Sequence, residues 1–329
     1  MTDPRTDWRD HAVLVTGPTG LVGSHLVAAL LASGADVAVL LRDHEHRSEL
    51  FRSGNIERVA VTEGELESIA DVERAIAESG ASVVFHLGAQ TLVGVGLNAP
   101  FLTLESNVRG TYNVLEACLR QSRTVERVVV ASSDKAYGQT DHPYTEDDPL
   151  RASSPYDVSK AAGDLIAQSY HATYGLRVGI VRCGNIYGGG DLNWSRIVPG
   201  TIRSFLKGEP PEIRSDGTYV RDYIYVADVV DAYLAVAGAL DRQDTSGEAF
   251  NFASGAPLSV LEMVKAIAKL MGGKLPEPRV LDVAKNEIKE QRLSTEKAKR
   301  VLGWKPRVSL DDGLRSTIEW YRSYLGAKS

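Results

Sequence analysis

Short apolar runs alternate with helix-period stretches through the first half of the chain. Residues 12–16, 37–41, 59–61, 83–86, 128–132 and 177–181 read as strands. Residues 21–31, 69–79, 103–119 and 156–174 lie between them and carry the helical pattern. This alternation predicts an α/β fold with a doubly wound parallel sheet and helices on both faces. Ligands of such sheets bind beyond the carboxyl ends of the strands. The pattern changes after Cys183. Residues 184–222 hold Gly188-Gly189-Gly190, a short helix over 197–207 and Pro210-Pro211. Residues 224–240 return to helix, 249–252 read as a strand and 258–271 as a helix, and two more helices follow near 295–302 and 310–324. The expected organisation is a larger domain, 1–183 with 223–254, and a smaller discontinuous lobe, 184–222 with 255–329, laid over the ligand edge of the sheet.

At 329 residues the chain is long enough for a sizeable core and two lobes. Its formal net charge of −6 gives no general attraction to nucleic acid or to an anionic membrane. An anionic ligand must therefore be held by local cations. No run reaches membrane-spanning length, and Cys118 and Cys183 stand far apart. These features predict a soluble, cytoplasmic protein without a metal cluster. His44 and His46 sit in a charged stretch and read as solvated loop residues.

Candidate chemistry begins after the first strand, where Gly17, Gly20 and Gly23 open a helix. Glycine lets the backbone turn tightly and approach a pyrophosphate, while the helix N-terminus supplies N–H donors and a favourable dipole. Such a turn also serves as a plain β–α connection, so it needs support from elsewhere. No Gly-Lys-Ser/Thr follows, which disfavours a triphosphate-binding loop. The second strand ends Leu41-Arg42-Asp43. An acid there suits the adenosine ribose of NAD and an Arg the 2′-phosphate of NADP. Arg42 falls where the acid is expected and tips the reading slightly toward NADP. Glu65 is a candidate acceptor for the adenine amino group.

Ser154-Pro155-Tyr156-Asp157 reads as a helix start, with Ser as cap and Pro in the first turn. Tyr156 and Lys160 then share one helical face. A neighbouring ammonium is expected to lower the Tyr156 pKa, so that the phenol exchanges a proton with a sugar or alcohol hydroxyl near neutral pH. Ser133 can hydrogen-bond the same oxygen. With the glycine turn, these residues specify a nicotinamide redox site.

With these residues in place the chain resembles the extended short-chain dehydrogenase/reductase family, whose members mostly act on nucleotide sugars. The likeness runs through residues 16–23, His86-Leu87-Gly88-Ala89-Gln90, Asn107-Val108-Arg109-Gly110-Thr111, Tyr156-Asp157-Val158-Ser159-Lys160, Arg182-Cys183-Gly184-Asn185, residues 221–226 and Leu302-Gly303-Trp304-Lys305-Pro306. It implies a Rossmann-type cofactor domain, a sugar-nucleotide lobe, tightly held NAD(P)+ and a homodimer formed through helices 103–119 and 156–174. The cofactor contacts it implies are Gly17, Thr19, Gly20, Leu21, Val22, Gly23, Arg42, Asp43, Glu65, Leu66, Leu87, Gly88, Ala89, Gln90, Asn107, Tyr156, Lys160 and Cys183. Arg182 reads as structural.

Asp134 and Lys135 narrow the chemistry. A 4-epimerase needs only oxidation at C4, rotation of the keto sugar and hydride return. A 4,6-dehydratase also needs a base for the C5 proton and an acid for the departing C6 hydroxyl. Asp134 is placed to be the acid. Lys135 is placed to be the base, its amine kept neutral by desolvation and the cation of Lys160. Ser133-Asp134-Lys135 is similar to CDP-glucose 4,6-dehydratases, in which Lys takes a position that is Glu in dTDP-glucose 4,6-dehydratases. Gly188-Gly189-Gly190-Asp191, Arg196-Ile197-Val198-Pro199 and Glu287 follow the same group. Thr218-Tyr219-Val220-Arg221-Asp222-Tyr223 departs from it and follows epimerases and other sugar-nucleotide enzymes. Substrate contacts are expected at Gln90, Thr91, Ser133, Asn185, Arg196, Val198, Arg221 and Glu287. Arg221 brings a planar donor fork suited to a diphosphate. The resemblance thus implies an NDP-hexose 4,6-dehydratase. A 4-epimerase, a 4-keto-sugar reductase and a dinucleotide-sensing regulator are the alternatives.

Overall fold

A computed structural model describes residues 8–283 and 288–326. Seven parallel strands form the central sheet. They are β1 Ala12–Thr16, β2 Asp36–Leu41, β3 Ala60–Glu63, β4 Val83–His86, β5 Arg127–Ala131, β6 Val178–Cys183 and β7 Ala249–Phe252. Their order is β7-β6-β5-β4-β1-β2-β3. The winding reverses between β1 and β4, where Val13 pairs with Val83 and Thr16 with His86. A crevice therefore opens beyond the carboxyl ends of these two strands.

The helices are α1 Leu21–Ala32, α2 Ile69–Ser79, α3 Gly110–Arg120, α4 Pro155–Tyr174, α5 Ile197–Leu206, α6 Val226–Ala239, α7 Val260–Met271, α8 Glu296–Leu302 and α9 Leu310–Leu325. On one face of the sheet Leu26, Val27 and Leu30 of α1 pack with Val229, Tyr233 and Val236 of α6. On the other face Val72 and Ile76 of α2 join Val114 and Leu115 of α3 and Ala167 of α4. With both faces covered, the central strands are mostly apolar, with β3 at the edge the more exposed one. Among the described residues no helix is long and apolar enough to cross a membrane.

Three expected elements differ, one of them only in that Leu258–Ser259 pairs as a strand before α7 begins at Val260. The helix over 103–119 is interrupted. Pro100–Leu104 is α-helical, Glu105–Arg109 forms a widened π turn, and α3 follows. That extra-wide turn carries Ser106 and Asn107 into the interior. The helix expected from residue 224 starts at Val226, because Tyr223–Tyr225 first pairs with Asn185–Tyr187 as a short parallel strand.

The smaller lobe has its own core of Val198, Ile202, Phe205, Met263, Ile267, Leu314, Ile318 and Tyr321, drawn from α5, α7 and α9. The expected division at 223–254 and 255–329 needs correction at two places. Tyr223 packs into the smaller lobe. Ala298 of α8 and Trp304 pack into the sheet domain instead, where Trp304 meets Phe252 edge-on at 4.8 Å. A three-stranded ribbon ties the smaller lobe together, with Val220–Arg221 between Leu258–Ser259 and Glu290–Gln291.

Candidate active site

One cavity of about 1720 Å³ runs from the glycine turn across the strand ends and into the smaller lobe. Its cofactor half is shaped by backbone. Gly17 has φ +69°, and a Cβ there would stand 2.7 Å from Gly88 Cα. A Cβ on Gly23 would stand 2.1 Å from the Gly17 carbonyl oxygen. Helix α1 starts with no capping side chain and no acid in its first turn. Its free N–H groups and dipole are left for an anion. Turn, helix and cavity thus fit a dinucleotide.

Thr19, Leu21, Val22, Leu66, Leu87, Ala89 and Cys183 line this cavity, as do Arg42 and Asp43. The last two are exposed and pair with each other at 2.6 Å. Glu65, Gln90 and Asn107 do not line it. The Glu65 backbone N–H is drawn to Asp71 (3.2 Å), and the Gln90 side chain closes its own loop onto Leu92. Asn107 is buried behind the wall. It accepts from Gln90 N at 2.7 Å and donates to Ser159 Oγ at 2.8 Å, which ties the loop after β4 to α4. Its part is to hold that loop.

The other half is built from side chains. Ser154 caps α4 by accepting from Asp157 N, with Pro155 in the first turn. Tyr156 and Lys160 reach the cavity from this helix, and Ser133, Asp134 and Lys135 reach it from the turn after β5. Ser133 faces the same cavity as the Tyr156 phenol, and its Oγ donates to Asp134 Oδ1 at 3.0 Å. Burial drives the redox pair in opposite directions, the Tyr156 phenol up to about 12 and the Lys160 amine down to about 8. The expected lowering of Tyr156 by Lys160 is therefore corrected. Lys160 Nζ donates to the Ala131 carbonyl at 2.9 Å, and the cation that offsets part of the phenol's desolvation is Arg196.

Arg196 is held by buried Asp191 at 3.0 Å. Asn185, Val198, Thr91 and Arg221 line the same cavity. Arg221 is buried, donates to the Val220 and Lys289 carbonyls and lies over the Tyr219 ring at 5.6 Å. Glu287 lies outside the described residues. Arg182 is structural. It bonds Asp164 through two nitrogens at 2.8 Å and Tyr137 at 2.7 Å, deep in the sheet domain.

Asp134 is 2% exposed, and its Oδ2 has no hydrogen-bond partner. Lys135 Nζ donates to Gln291 Oε1 at 2.9 Å. Gln291 was missed in the sequence because nothing in its neighbourhood signals a contact with the turn after β5. In the sequence Asp191 stands only as the end of a glycine motif, and its pairing with Arg196 is visible only in three dimensions.

The family model for the NAD dependent epimerase/dehydratase family matches residues 13–253. The chain is 32% identical over 321 residues to a dTDP-glucose 4,6-dehydratase of Streptomyces griseus, covering 95% of this chain and 94% of the relative. It is also 32% identical over 314 residues to the UDP-glucose 4-epimerase of Mycolicibacterium smegmatis, covering 94% and 98%. Among solved structures, DesIV, the dTDP-glucose 4,6-dehydratase from Streptomyces venezuelae with NAD and TYD bound, superposes with a TM-score of 0.86 at 31% identity, covering 95% and 98%. With the glycine cradle, the Ser133–Tyr156–Lys160 site and the reversed strand order already in hand, the chain belongs to the NAD dependent epimerase/dehydratase family.

Proposed function

We propose that this protein is an NDP-hexose 4,6-dehydratase that forms an NDP-4-keto-6-deoxyhexose. The observation that carries this reading is the opening of Asp134 and Lys135 into the same cavity as Ser133 and Tyr156. Redox shuttling at C4 has no use for that second acid and amine. The dTDP-glucose 4,6-dehydratases among the relatives support it.

The turn around Gly17 and Gly23 and the start of α1 hold NAD(P)+, which when bound supplies a hydride acceptor at C4 and a hydride donor at C6. Tyr156 takes the C4 hydroxyl proton, with Arg196 offsetting part of the cost of a buried phenolate. Ser133 hydrogen-bonds O4. Once C4 is a ketone, the C5 proton is acidic, and Lys135 is the base that removes it. Asp134 is the acid for the C6 hydroxyl, which leaves as water as the C5–C6 double bond forms. Hydride at C6 and a proton at C5 complete the product without net redox change.

Arg42 alone favours a 2′-phosphate, but its pairing with Asp43 removes that preference and supports NAD as readily as NADP. Ser133-Asp134-Lys135 supports a CDP-sugar, whereas the segment around Arg221 supports another nucleotide. Exposed Tyr112, Val158, Leu165 and Tyr174 on α3 and α4 support a homodimer through these helices. The free buried thiols Cys118 and Cys183 fit a cytoplasmic enzyme. A 4-epimerase is the second reading, favoured by the epimerase relative and the segment over 218–223. Incubation with CDP-, dTDP-, GDP- and UDP-glucose separates the two by mass. A dehydratase product is lighter by one water, and an isobaric C4 epimer as sole product rejects the proposal.

A further inference from the structure

We infer that Gln291 is a positioning residue for Lys135, an amide of the smaller lobe that aims the amine of the sheet domain into the sugar half of the cleft. This rests on the dehydratase reading, in which Lys135 is the C5 base. Gln291 sits on the short strand beside Val220–Arg221, directly opposite Arg221. Its backbone carbonyl accepts from Asp222 N at 3.2 Å, and the residue is fully buried. Its Oε1 accepts from Lys135 Nζ at 2.9 Å. Its Nε2 is buried and has no hydrogen-bond partner. Asp134 Oδ2, one residue from Lys135, is also buried without a partner. Buried polar atoms are nearly always satisfied in folded proteins. Two open ones beside an anchored amine, all lining one cavity, mark a working surface rather than a packed contact.

The choice of an amide is informative. A lysine amine rides on a flexible four-carbon stem and needs an anchor to hold one position. An amide oxygen accepts an N–H from the ammonium and from the neutral amine alike, so it fixes the place of Nζ without holding the extra proton on it. A carboxylate at this position would stabilise the ammonium and suppress the base. The bond also bridges the two lobes, so the amine is placed only when the smaller lobe is seated. The other titratable groups around it are Asp134, Tyr156 and Lys160 from the sheet domain, Arg196 and Arg221 from the smaller lobe, and Tyr144.

The test uses the full chain with its cofactor as wild type, Gln291→Leu and Gln291→Glu. Trace acetylation of Lys135 by acetic anhydride, followed by mass spectrometry across pH, needs no substrate. Gln291→Glu should move the labelling midpoint up by about one pH unit or more, as an adjacent opposite charge does. Gln291→Leu should alter the reactivity of Lys135 without that rise. In the dehydration assay Gln291→Leu should lower kcat about 10–100-fold while KM stays close to wild type. Gln291→Glu should move the rising limb of the kcat profile to higher pH by the amount seen in labelling. Labelling of Lys135 that is identical in all three proteins overturns the contact, and undiminished kcat with an unmoved limb overturns the positioning role. If wild type makes a C4 epimer and no keto-deoxy sugar, the dehydratase reading fails on its own, and labelling still decides whether Gln291 governs Lys135.

Discussion

In the cofactor half of the cleft the surface that meets the ligand is largely backbone: the Gly17 turn, the loop at Gly88 and the uncapped start of α1. In the sugar half it is side chain: Ser133, Asp134, Lys135 and Tyr156 from the sheet domain against Asn185, Arg196, Arg221 and Gln291 from the smaller lobe. A backbone site is set by local steric rules and tolerates many neighbouring side chains. A side-chain site depends on partners brought together by the whole fold, and it can be retuned residue by residue. One half therefore carries chemistry common to many enzymes, and the other carries the identity of the reaction.

The comparison breaks most sharply at Tyr156. Tyr156→Phe should reduce kcat by about 10²–10⁴-fold, the usual worth of a positioned acid–base group, while cofactor affinity stays close to wild type. A parallel loss of affinity, measured by fluorescence titration with the dinucleotide, would mean that the two halves are not separable. Gly23→Ala attacks the other half. The added methyl must displace the Gly17 carbonyl, and overpacking of this kind costs about 1–3 kcal/mol. The loss should appear as a lower Tm and about 10–100-fold weaker cofactor binding. Unchanged values in calorimetry and titration would show that the close approach is dispensable.

This division also explains what could be read in the sequence. The strands, the glycine turn and the capped start of α4 follow from short-range patterns, and each stands where it was expected. The motif at Asn107 gives no hint that its side chain bonds the loop behind the wall. The π turn that buries it leaves no trace in a helical periodicity. Tyr156 was expected to have a lowered pKa from its spacing to Lys160, yet spacing carries no information about desolvation or about the Ala131 carbonyl that engages the amine. Gln291 and the Asp191–Arg196 pair arise from contacts between segments that the fold brings together.

A pH profile sharpens the picture of the redox pair with a smaller effect. Tyr156 acts as phenolate, whose fraction grows with pH below about 12, and Lys160 assists as ammonium, whose fraction falls above about 8. The C4 oxidation step of wild type, followed by cofactor reduction in a single turnover, should therefore quicken about tenfold per pH unit and level off near the Lys160 value. Lys160→Met should remove that break, and a break that survives the substitution assigns it to another group. The smallest effect is expected at the outer rim. Arg42→Ala opens an exposed pair and should change NAD affinity by less than about fivefold. A selective loss of NADP binding in the same titration would show that Arg42 holds a 2′-phosphate after all.

The most direct measurement is turnover of the preferred NDP-hexose in deuterated water, followed by NMR and mass spectrometry of the sugar. Elimination through Lys135 and Asp134 gives a 4-keto-6-deoxy product with one solvent deuterium at C5. A C4 epimer carrying no solvent deuterium, with the C6 hydroxyl intact, would contradict it.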